Sequence, residues 1–550
     1  MNAYIKSKKT NCKNCYKCIR HCEVKSLCFS NNQASIISDD CIYCGECYLI
    51  CPQNVKSIES DTSKVRQLLK DEQVIASIAP SFHALSNTSY AQLKTQLKAI
   101  GFYDVEETAI GAAFVKTKYE EKCDEHTKDV MITSSCYSVN LLIQKYYPEV
   151  VPNLIDVISP MEAHARFIKQ QYPKAKVVFI GPCISKKAEI ENENSAVDIV
   201  LTFDELEEFI HLEEGLSSKQ DAGIITRRFP TSGGILSTMR KNENYTYIAI
   251  DGIQNCMQTL ADIKDKKIQN CFIEMSLCTK SCVGGPIMRK RKISPLASTI
   301  TISKQPVIEN KEELPNIDFD RTFEMKGKPQ LHIEDEMIEE VLKKIGKTTK
   351  EHELNCGSCG YNTCREKAIA VMQQKANLEM CMPYLKDKAE SFSDNIIKNT
   401  PNGIIVLNED FEIQQMNDAA CNILNLNNSY DVVGEQVIRI LDPKVIMDTY
   451  LDKKNTYDKK LYLADCDKHI NLSVIYDQSY HILICIMRDI THVTRAKKER
   501  DRLRVSTIAI TDEIVEKQMR SVQEIASLLG ETTAETKVAM SKLKELLHNE

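Results

Sequence analysis

Cysteines dominate the residues of this chain that could carry chemistry, with 23 of them among 550 residues. Three of them, Cys136, Cys183 and Cys278, each follow a short apolar run of the kind that forms a buried strand. If these strands are parallel neighbours in one α/β sheet, their carboxyl ends share one edge, where such sheets bind ligands. Cys282 lies just beyond Cys278, so four thiols are predicted to converge on a single site.

The segments around these cysteines predict an alternating α/β domain over residues 70–305. The three apolar runs are 130–132, 177–180 and 272–275, and a further strand is predicted over 74–79. Amphipathic helices are predicted over 90–100 and 161–171, so strands and helices alternate along the segment. This alternation of strands and helices is typical of a sheet covered by helices.

Residues 1–62 contain two cysteine runs with the spacing of a two-cluster bacterial ferredoxin. In that spacing the fourth cysteine of each run ligates the other cluster. A structural zinc site, the alternative, uses four ligands that usually fall into two separated pairs, so the doubled run favours clusters. One 4Fe-4S cluster is predicted on Cys12, Cys15, Cys18 and Cys51, and a second on Cys41, Cys44, Cys47 and Cys22.

A second cysteine-dense module is predicted over residues 336–386. Its glycines, Gly357 and Gly360, allow backbone amides to approach cluster sulfides, which tunes the potential of a cluster. An additional 4Fe-4S cluster is therefore predicted, with zinc as the open alternative because four thiolates also suit a tetrahedral zinc site. The four thiols are those of Cys356, Cys359, Cys364 and Cys381.

The cysteine segments of the central domain resemble the three signature segments of FeFe hydrogenases. The matching segments are 133–136, 181–189 and 274–286, and the resemblance extends to 231–234 and to the ferredoxin-like module. It implies that Cys136, Cys183, Cys278 and Cys282 hold an H-cluster, a 4Fe-4S cube joined through Cys282 to a two-iron unit with carbonyl and cyanide ligands. It also implies that Lys186 donates a charge-assisted hydrogen bond to a cyanide.

Several residues depart from the pattern of fast members of that family. Ser135 stands where those enzymes, by the resemblance, carry a cysteine that passes protons, and a hydroxyl is a poorer relay near neutral pH because its pKa is far higher. Gly181 and Ser276 stand where methionines are usual. The ligand cysteines are all retained, so we expect slow turnover more than loss of the cofactor.

Residues 390–495 resemble a PAS domain, from the segment 400–407, the helix start at 417–420 and the end at 489–491. A charged C-terminal region, 496–550, follows. Apolar residues recur there at Val515, Met519, Val522, Ala526 and Leu529, then Gly530 interrupts the run and Thr532 with Glu535 resembles a capping box. A C-terminal helical hairpin is therefore predicted.

Length and composition restrict the remaining possibilities. A chain of 550 residues favours several domains, and a net charge of -6 gives no indication of nucleic-acid binding. Neither a secretory signal nor a membrane span is visible, so we expect a cytoplasmic protein in which cysteines ligate metal and do not form disulfides. Residues 305–335 are rich in charge and proline and read as a linker or a peripheral extension.

Together these features predict a multidomain α/β and α+β protein, with a ferredoxin-like N-terminal module, an α/β hydrogenase domain, a small iron-sulfur domain, a PAS domain and a C-terminal helical hairpin. The leading hypothesis is a sensory FeFe hydrogenase acting on H2 and protons. Its PAS and helical regions would bind an unidentified protein partner or form a homodimer. The alternatives are a catalytic hydrogenase served by a soluble redox carrier, and a hydrogenase-like iron-sulfur scaffold or electron carrier without the two-iron unit.

Overall fold

The computed structural model of the chain describes residues 4–8, 12–30, 32–191, 194–213, 223–308, 313–327, 333–529 and 533–548. The chain divides into two compact units, Met1–Leu385 and Lys386–Glu550. Within the described ranges, no helix combines the length and apolarity needed to cross a membrane.

The N-terminal module is built from very short elements that leave most of its backbone in loops. Its strands form two antiparallel pairs, β1 with β4 and β2 with β3. Its two helices contact each other, and each is preceded by a residue with left-handed backbone, Tyr16 or Gly45. The elements are β1 Ile5–Ser7, α1 Lys17–Arg20, β2 Leu27–Ser30, β3 Gln33–Ile36, α2 Glu46–Ile50 and β4 Lys56–Ile58.

The first half of the central domain alternates helices and strands, as the sequence predicts. The predicted strand 74–79 is observed as Val74–Ile78, and the predicted helices 90–100 and 161–171 as Tyr90–Ala99 and Pro160–Gln171. The elements are α3 Thr62–Asp71, β5 Val74–Ile78, α4 Tyr90–Ala99, β6 Asp104–Glu107, α5 Ala109–Glu125, β7 Val130–Ile132, α6 Tyr137–Tyr146, α7 Pro160–Gln171, β8 Lys176–Gly181, α8 Ser185–Glu189, β9 Ile199–Thr202 and α9 Phe203–Leu206.

The second half of the central domain supplies the remaining strands and the turns around the last two cysteines. A short 3-10 turn, Ser281–Gly284, carries Cys282. The elements are β10 Gly223–Ile224, β11 Thr246–Asp251, α10 Ile253–Lys264, β12 Cys271–Ser276, α11 Pro286–Lys290, α12 Pro295–Ser303 and β13 Val307–Ile308.

The strands that lead to the cysteines belong to two parallel sheets. One sheet has the order β6-β5-β8-β9 and the other the order β11-β12-β7. The expectation of a single sheet is therefore wrong, since β8 pairs with β5 and β9 whereas β7 pairs with β12. An apolar run predicts a buried strand but does not select its partners, because every such run satisfies the same burial requirement.

The charged segment after residue 305 packs on the central domain as a peripheral extension. β13 pairs with β10, and residues 313–327 form a strap along the surface. In the strap, Phe319 is buried and its carbonyl accepts a hydrogen bond from the amide of Ile158. Beyond it lie α13 Asp335–Lys344, α14 Cys364–Met372 and α15 Met382–Asn399.

The second unit contains a five-stranded antiparallel sheet with the order β15-β14-β18-β17-β16. Asn417 caps the helix after β15, accepting from the amides of Ala420 and Ile404, so its side chain joins helix and sheet. The elements are β14 Gly403–Asn408, β15 Ile413–Met416, α16 Asp418–Leu424, α17 Lys444–Asp452, β16 Thr456–Leu463, β17 Lys468–Asp477 and β18 Ile482–Asp489.

Two helices complete the second unit, α18 Thr491–Leu529 and α19 Thr533–His548. They contact each other, and Lys544 of α19 lies 3.5 Å from Asp512 of α18. Two contacting helices thus occupy the region in which the sequence predicts a hairpin. The predicted break at Gly530 and the capping-box residue Thr532 lie outside the described residues, as do the side chains of Ala526, Leu529 and Glu535.

Candidate metal centre

Four cysteines from distant segments line one cavity in the central domain. Cys136 follows β7 and precedes α6, and Cys183 follows β8. Cys278 and Cys282 lie in the turns after β12. All four border the same space, a cavity of about 30 Å³. The structure therefore brings together the thiols that the sequence predicts to converge, although their strands belong to two sheets.

Burial controls the acid–base properties of these thiols. It raises the pKa of Cys136 and of Cys278, with a further increase from neighbouring thiols, and it raises the pKa of Cys282 to about 12. Thiolate charge is therefore unstable there without a cation to compensate it. Because metal binding deprotonates cysteine, a group of soft donors that face a cavity, with Cys282 exposed and the other three half-buried, suits iron that neutralises the thiolates.

A larger cavity of about 110 Å³ adjoins this site and shares Cys136, Cys183 and Cys282 with it. Its other lining residues are largely apolar, among them Phe179 and Met275. Ser135 and Lys186 supply polar groups in its wall. Cys136, Cys183 and Cys282 therefore all lie at the boundary between the two spaces, where a thiolate can touch the contents of both.

Lys186 is fixed by two partners at the edge of the larger cavity. Its ammonium lies 2.5 Å from Glu189 and donates to the carbonyl of Ser135 at 3.2 Å. Arg321 of the strap contacts the other oxygen of Glu189 at 2.7 Å. Burial alone would raise the pKa of Glu189, but the charges of Lys186 and Arg321 outweigh it and hold that pKa low. An ammonium has three protons, so, as far as the described residues show, one remains for a ligand in the cavity.

Ser135 belongs to a closed network of hydroxyl groups. Its Oγ lies 3.0 Å from the phenol oxygen of Tyr119, which lies 3.1 Å from Oγ of Ser134. Ser134 in turn donates to the carbonyl of Val157 at 2.6 Å. Burial raises the pKa of Tyr119, and the network ends at a backbone carbonyl in the protein interior. It holds Ser135 in place and, through the described residues, does not lead to solvent.

The two glycines that follow Cys282 are under different structural constraints. A Cβ on Gly284 would lie 1.8 Å from the carbonyl oxygen of Thr279, so the turn itself requires glycine there. A Cβ on Gly285 would lie 3.8 Å from Sγ of Cys278, at the cavity wall. Of this pair, only Gly285 borders the space that a cofactor would fill.

The N-terminal cysteines form the two groups that the ferredoxin spacing predicts. One group lines a cavity of about 20 Å³ and consists of Cys12, Cys15, Cys18 and Cys51. In the other, burial raises the pKa of Cys44, and the nearby thiols of Cys22, Cys41 and Cys47 raise it further. In both groups the structure joins three cysteines of one run to the last cysteine of the other run.

Cys44 links the N-terminal module to the central site, which the sequence did not indicate. It lies in the wall of the cavity formed by Cys136, Cys183, Cys278 and Cys282. The adjacent Gly45 has a φ of +76°, and a Cβ there would lie 2.5 Å from Pro286 and 2.7 Å from Ile184. The absence of a side chain at Gly45 thus permits the two modules to approach closely at this point.

The third cysteine module has a pocket of its own and contacts the N-terminal module. The pocket is about 20 Å³, and its thiols are those of Cys356, Cys359, Cys364 and Cys381. Lys367 lies in the same wall, where burial lowers its pKa to about 8 although two nearby thiols act in the opposite direction. Arg20 and Lys25 donate to the carbonyls of Ser358 and Gly360 at 3.1 and 2.9 Å. For a single metal ion, as distinct from a multi-iron cluster, the described ranges contain no group of three His, Cys, Asp or Glu side chains that could hold it.

The basic run at 289–292 holds the N-terminal module and the central domain together, a role that its sequence does not reveal. Arg289 contacts Glu46 at 3.1 Å, and the ammonium of Lys290 lies 3.7 Å from the ring centre of Tyr48. Arg291 contacts Asp204 at 2.9 Å. A charge run of this kind usually reads as a solvated loop, because sequence alone does not show the facing carboxylates.

Family models match four parts of the chain. Residues 72–286 match the model described as iron only hydrogenase large subunit, C-terminal domain. Residues 34–57 match a 4Fe-4S binding domain, 353–383 a model for an Fe-S cluster and 401–492 a PAS domain. The resemblances drawn from the cysteine and PAS motifs are confirmed by these matches. The chain therefore combines a hydrogenase-like iron-sulfur domain with a ferredoxin-like 4Fe-4S motif and a PAS domain.

Two curated proteins show partial similarity. Iron hydrogenase 1 of Clostridium pasteurianum is 23% identical over 366 residues, which cover 50% of this chain and 63% of that protein. The cytosolic Fe-S cluster assembly factor NAR1 of Kluyveromyces lactis is 26% identical over 192 residues, 31% of this chain and 40% of that protein. This chain thus spans less than two thirds of either relative.

Solved structures are also similar to separate parts of the chain. A variant of the FeFe-hydrogenase HydA1 from Chlamydomonas reinhardtii has 16% identity and a TM-score of 0.35, covering 49% of this chain and 100% of the other. The PAS domain of an HTR-like protein from Haloarcula marismortui has 19% identity and a TM-score of 0.16, covering 19% of this chain and 93% of the other.

Proposed function

We propose that this protein is a sensory FeFe hydrogenase, which binds an H-cluster on Cys136, Cys183, Cys278 and Cys282 and reacts slowly with H2. The observation that carries the proposal is the pair of adjoining cavities. A thiol-lined space for a cube continues into a larger space of about 110 Å³, with Cys136, Cys183 and Cys282 common to both. A protein that held only a cube would have no use for the second space or for the ammonium in its wall.

The residues around the larger cavity have distinct roles in this proposal. A bound two-iron unit supplies the reversible cleavage of H2 into protons and electrons. Cys282 is the proposed bridging ligand, and Lys186 orients the unit by donating its remaining N–H to an anionic ligand. Glu189 and Arg321 position Lys186, because the carboxylate fixes the ammonium and the guanidinium fixes the carboxylate.

Electrons would enter and leave through the cysteine clusters of the N-terminal modules. Cys44 borders the central cavity, so the cluster of Cys22, Cys41, Cys44 and Cys47 is the proposed neighbour of the H-cluster. The third module contacts the segment that contains Cys18 and Cys22. Three 4Fe-4S clusters would then connect the site of H2 chemistry to the surface of this unit, and the Fe-S cluster match at 353–383 favours iron over zinc in the third.

Slow reaction and a signalling output distinguish this proposal from ordinary hydrogen metabolism. Ser135 lies in a hydroxyl network that ends at Val157, so it provides no path for rapid proton exchange with solvent. At Gly181 a Cβ would lie 2.8 Å from the ring of Phe179, which fills that part of the cavity wall.

The PAS domain and the long α18 supply surfaces for a protein partner. A catalytic hydrogenase served by a soluble redox carrier is the nearest alternative.

A scaffold or electron carrier without the two-iron unit is the second candidate function. The similarity to NAR1, an Fe-S cluster assembly factor, favours it. In that case the four central thiols would hold a cube alone. The two candidates differ in one measurable property, the presence of carbonyl and cyanide ligands.

Infrared spectroscopy of the full chain, produced together with hydrogenase maturation enzymes, tests the proposal. We expect carbonyl and cyanide bands in the natural protein, no such bands in Cys282→Ala, and unchanged bands in Cys123→Ala. Cys123 is the matched control because it is buried in the same domain and borders neither cavity. Absence of the bands from a protein that carries its accessory clusters would contradict the proposal and favour the scaffold.

Turnover with an artificial electron carrier separates the sensory from the metabolic enzyme. We expect rates far below the 1 to about 10³ per second that is common among enzymes, because the hydroxyl of Ser135 is a poorer proton relay than the cysteine thiol that the resemblance places at this position. A rapid rate would favour the catalytic alternative.

A further inference from the structure

A continuous series of hydrogen bonds runs through the central domain from Thr108 in the wall of the larger cavity to Glu106. The hydroxyl of Thr108 lies 2.7 Å from that of Ser77, and the Ser77 hydroxyl lies 2.8 Å from Nδ1 of His164. Nε2 of His164 lies 3.1 Å from a carboxylate oxygen of Glu106. We propose that these four side chains form a proton relay between the larger cavity and solvent, an inference that rests on the proposed hydrogenase function.

Four separate elements bring the relay together. Ser77 is in β5 and pairs in register with Glu106 of the parallel strand β6. Thr108 follows β6 and leads into α5, and His164 is in α7, which packs on α5 and contacts β5. No sequence spacing connects these residues, because strand register and helix packing decide their contact.

The two ends of the proposed relay reach different surroundings, the larger cavity at one end and solvent at the other. Thr108 lines the cavity of about 110 Å³ whose wall also contains Cys282 and Lys186. Ser77 and His164 are fully buried, at 0% exposure each. The side chain of Glu106 is 18% exposed, so the chain ends at solvent. A proton could thus pass between cavity and solvent without leaving hydrogen-bonding groups.

Each member of the chain can both donate and accept a proton. Hydroxyl groups do so through the same oxygen, and an imidazole accepts at one ring nitrogen while it donates from the other. Cleavage of one H2 releases two protons and two electrons. The electrons would pass to the thiolate-bound clusters, and the protons would leave singly through Thr108, Ser77, His164 and Glu106. Reversal of the same steps supplies protons for H2 formation.

The hydroxyl network at Ser135 does not consist only of groups that can both donate and accept a proton. It ends at the carbonyl of Val157, which accepts a hydrogen bond but has no proton to pass on. The two sets of hydroxyl groups therefore have different roles. The network at Ser135 positions that side chain, and the proposed relay connects the cavity to solvent. A purely structural role for Ser77 and His164 would satisfy the same hydrogen bonds, so the test has to separate bonding from proton transfer.

The experiment uses the full chain matured with its cofactor and two relay variants, His164→Gln and Glu106→Ala. We expect at least about a tenfold loss of H2-dependent dye reduction in both, with carbonyl and cyanide bands at their natural positions. His126→Asn is the matched control, because His126 is hydrogen-bonded to Tyr245 at 2.9 Å in the same domain but lies outside the relay. Its rate should equal that of the natural protein.

Two further measurements distinguish relay from structure. Added acetate should restore the rate of Glu106→Ala, because a small carboxylic acid can replace a proton carrier at the surface, and it should not change the rate of His126→Asn. In infrared difference spectra between hydrogen and argon, a carboxyl band of Glu106 should shift in the natural protein and stay fixed in His164→Gln. Natural rates in both relay variants, or a shift that persists in His164→Gln, would overturn the relay.

The proposed function and the relay fail in different ways. If the natural protein shows no carbonyl and cyanide bands, the hydrogenase proposal fails. If the bands are present and the relay variants turn over at the natural rate, only the relay is wrong. Should His164→Gln fold poorly, Glu106→Ala still decides, because Glu106 is on the edge strand β6 and its removal leaves the buried hydrogen bonds of Ser77 in place.

Discussion

Lys187 is a buried ammonium that joins the start of α3 to the segment at α9. It is 1% exposed and contacts Asp61 at 2.7 Å and Glu205 at 2.9 Å. Removal of one partner from such a group leaves uncompensated charges in a medium of low polarity. We expect Lys187→Met to lower the free energy of unfolding by about 3–5 kcal/mol, measured as a decrease in the thermal midpoint of the unit.

Lys64→Met is the matched control for this prediction. Lys64 also contacts Asp61, at 2.7 Å, but its side chain is 68% exposed, so we expect a loss below about 1 kcal/mol. Burial raises the pKa of Asp61, but its hydrogen bonds to Lys187 and Lys64 outweigh burial and lower that pKa below 3.8. The stabilisation is therefore complete above pH 3.8 and is lost as the pH falls through the lowered pKa. Equal losses in the two variants would contradict the interpretation.

Glu274 holds the glycine-rich loop that borders the larger cavity. Its carboxylate accepts from the amides of Gly233 at 2.9 Å and Leu236 at 3.0 Å, but burial dominates and raises its pKa from 4.5 to about 7. The folded state therefore retains a proton that the unfolded state loses, so stability falls as the pH rises from 4.5 to about 7. The expected decrease is on the order of 3 kcal/mol, because each pKa unit corresponds to about 1.4 kcal/mol.

Glu274→Gln removes this titration while it preserves the size of the side chain. We expect thermal melts of the variant to depend less on pH between about 5 and 8 than those of the natural protein. A pH dependence that is unchanged in the variant would show that other groups cause it.

At the scale of elements, the start of α2 determines how closely the ferredoxin-like module approaches the central cavity. A side chain at Gly45 would collide with Pro286 and with Ile184, and the backbone there is left-handed. We expect Gly45→Ala to displace Cys44 from the cavity wall and to slow the reduction of the proposed central cluster by the proposed neighbouring cluster. Spin coupling between these two proposed clusters when both are reduced, measured by electron paramagnetic resonance, should decrease.

Gly346→Ala provides the control for backbone strain alone. Gly346 also has a positive φ, +74°, but a Cβ there would meet no atom within 4 Å. We therefore expect a loss of stability of about 1–2 kcal/mol from the left-handed conformation, with unchanged spin coupling. If both variants alter the coupling equally, close approach at Gly45 is not its cause.

The long helix α18 carries two apolar stripes, of which α19 covers one. The covered stripe includes Ile508 and Val515. The other stripe contains Leu503, Ile510 and Ile514, which are 62%, 54% and 56% exposed, and lies about 130° away at 100° per residue. A helix with two such faces is typical of a four-helix bundle, so we expect a second copy of the chain to pack on the exposed stripe.

Light scattering of the natural protein should therefore give the mass of a dimer. The double variant Ile510→Glu with Ile514→Glu should be monomeric, because charge on the stripe cannot be buried without a partner. Val505→Glu is the control, since Val505 is 68% exposed but lies away from both stripes. A monomeric natural protein would refute the dimer.

For the whole molecule, sensing requires that the redox state of the clusters and the conformation of the output region depend on each other. Such coupling exists only if the free-energy difference between two conformations of the output region changes with the redox state of the clusters. We expect hydrogen–deuterium exchange in α18 of the full, matured chain to differ between hydrogen and argon. The variant Cys282→Ala should show no difference, because it lacks the proposed two-iron unit. Identical exchange in the natural protein under both gases would remove the sensory interpretation.

The sequence predicts the local parts of this protein well because each part is determined by residues that are close together. Cysteine spacing fixes which thiols a single loop can present, so the groups at Cys12 and Cys356 are visible before any fold is known. Apolar runs identify β7, β8 and β12 within one or two residues at each end. The sensory assignment, the bound cofactors and the role of Ser135 stay predictions.

Contacts between distant segments could not be predicted in the same way. The sequence does not show that the strands separate into two sheets, that Cys44 reaches the central cavity, or that Arg291 faces Asp204. The chain Thr108, Ser77, His164 and Glu106 likewise depends on strand register and on the position of α7. By itself the sequence determined the donor groups and the order of the domains. Only the tertiary structure decided which distant donors meet, because that choice depends on the packing free energy of all elements together and not on any local spacing.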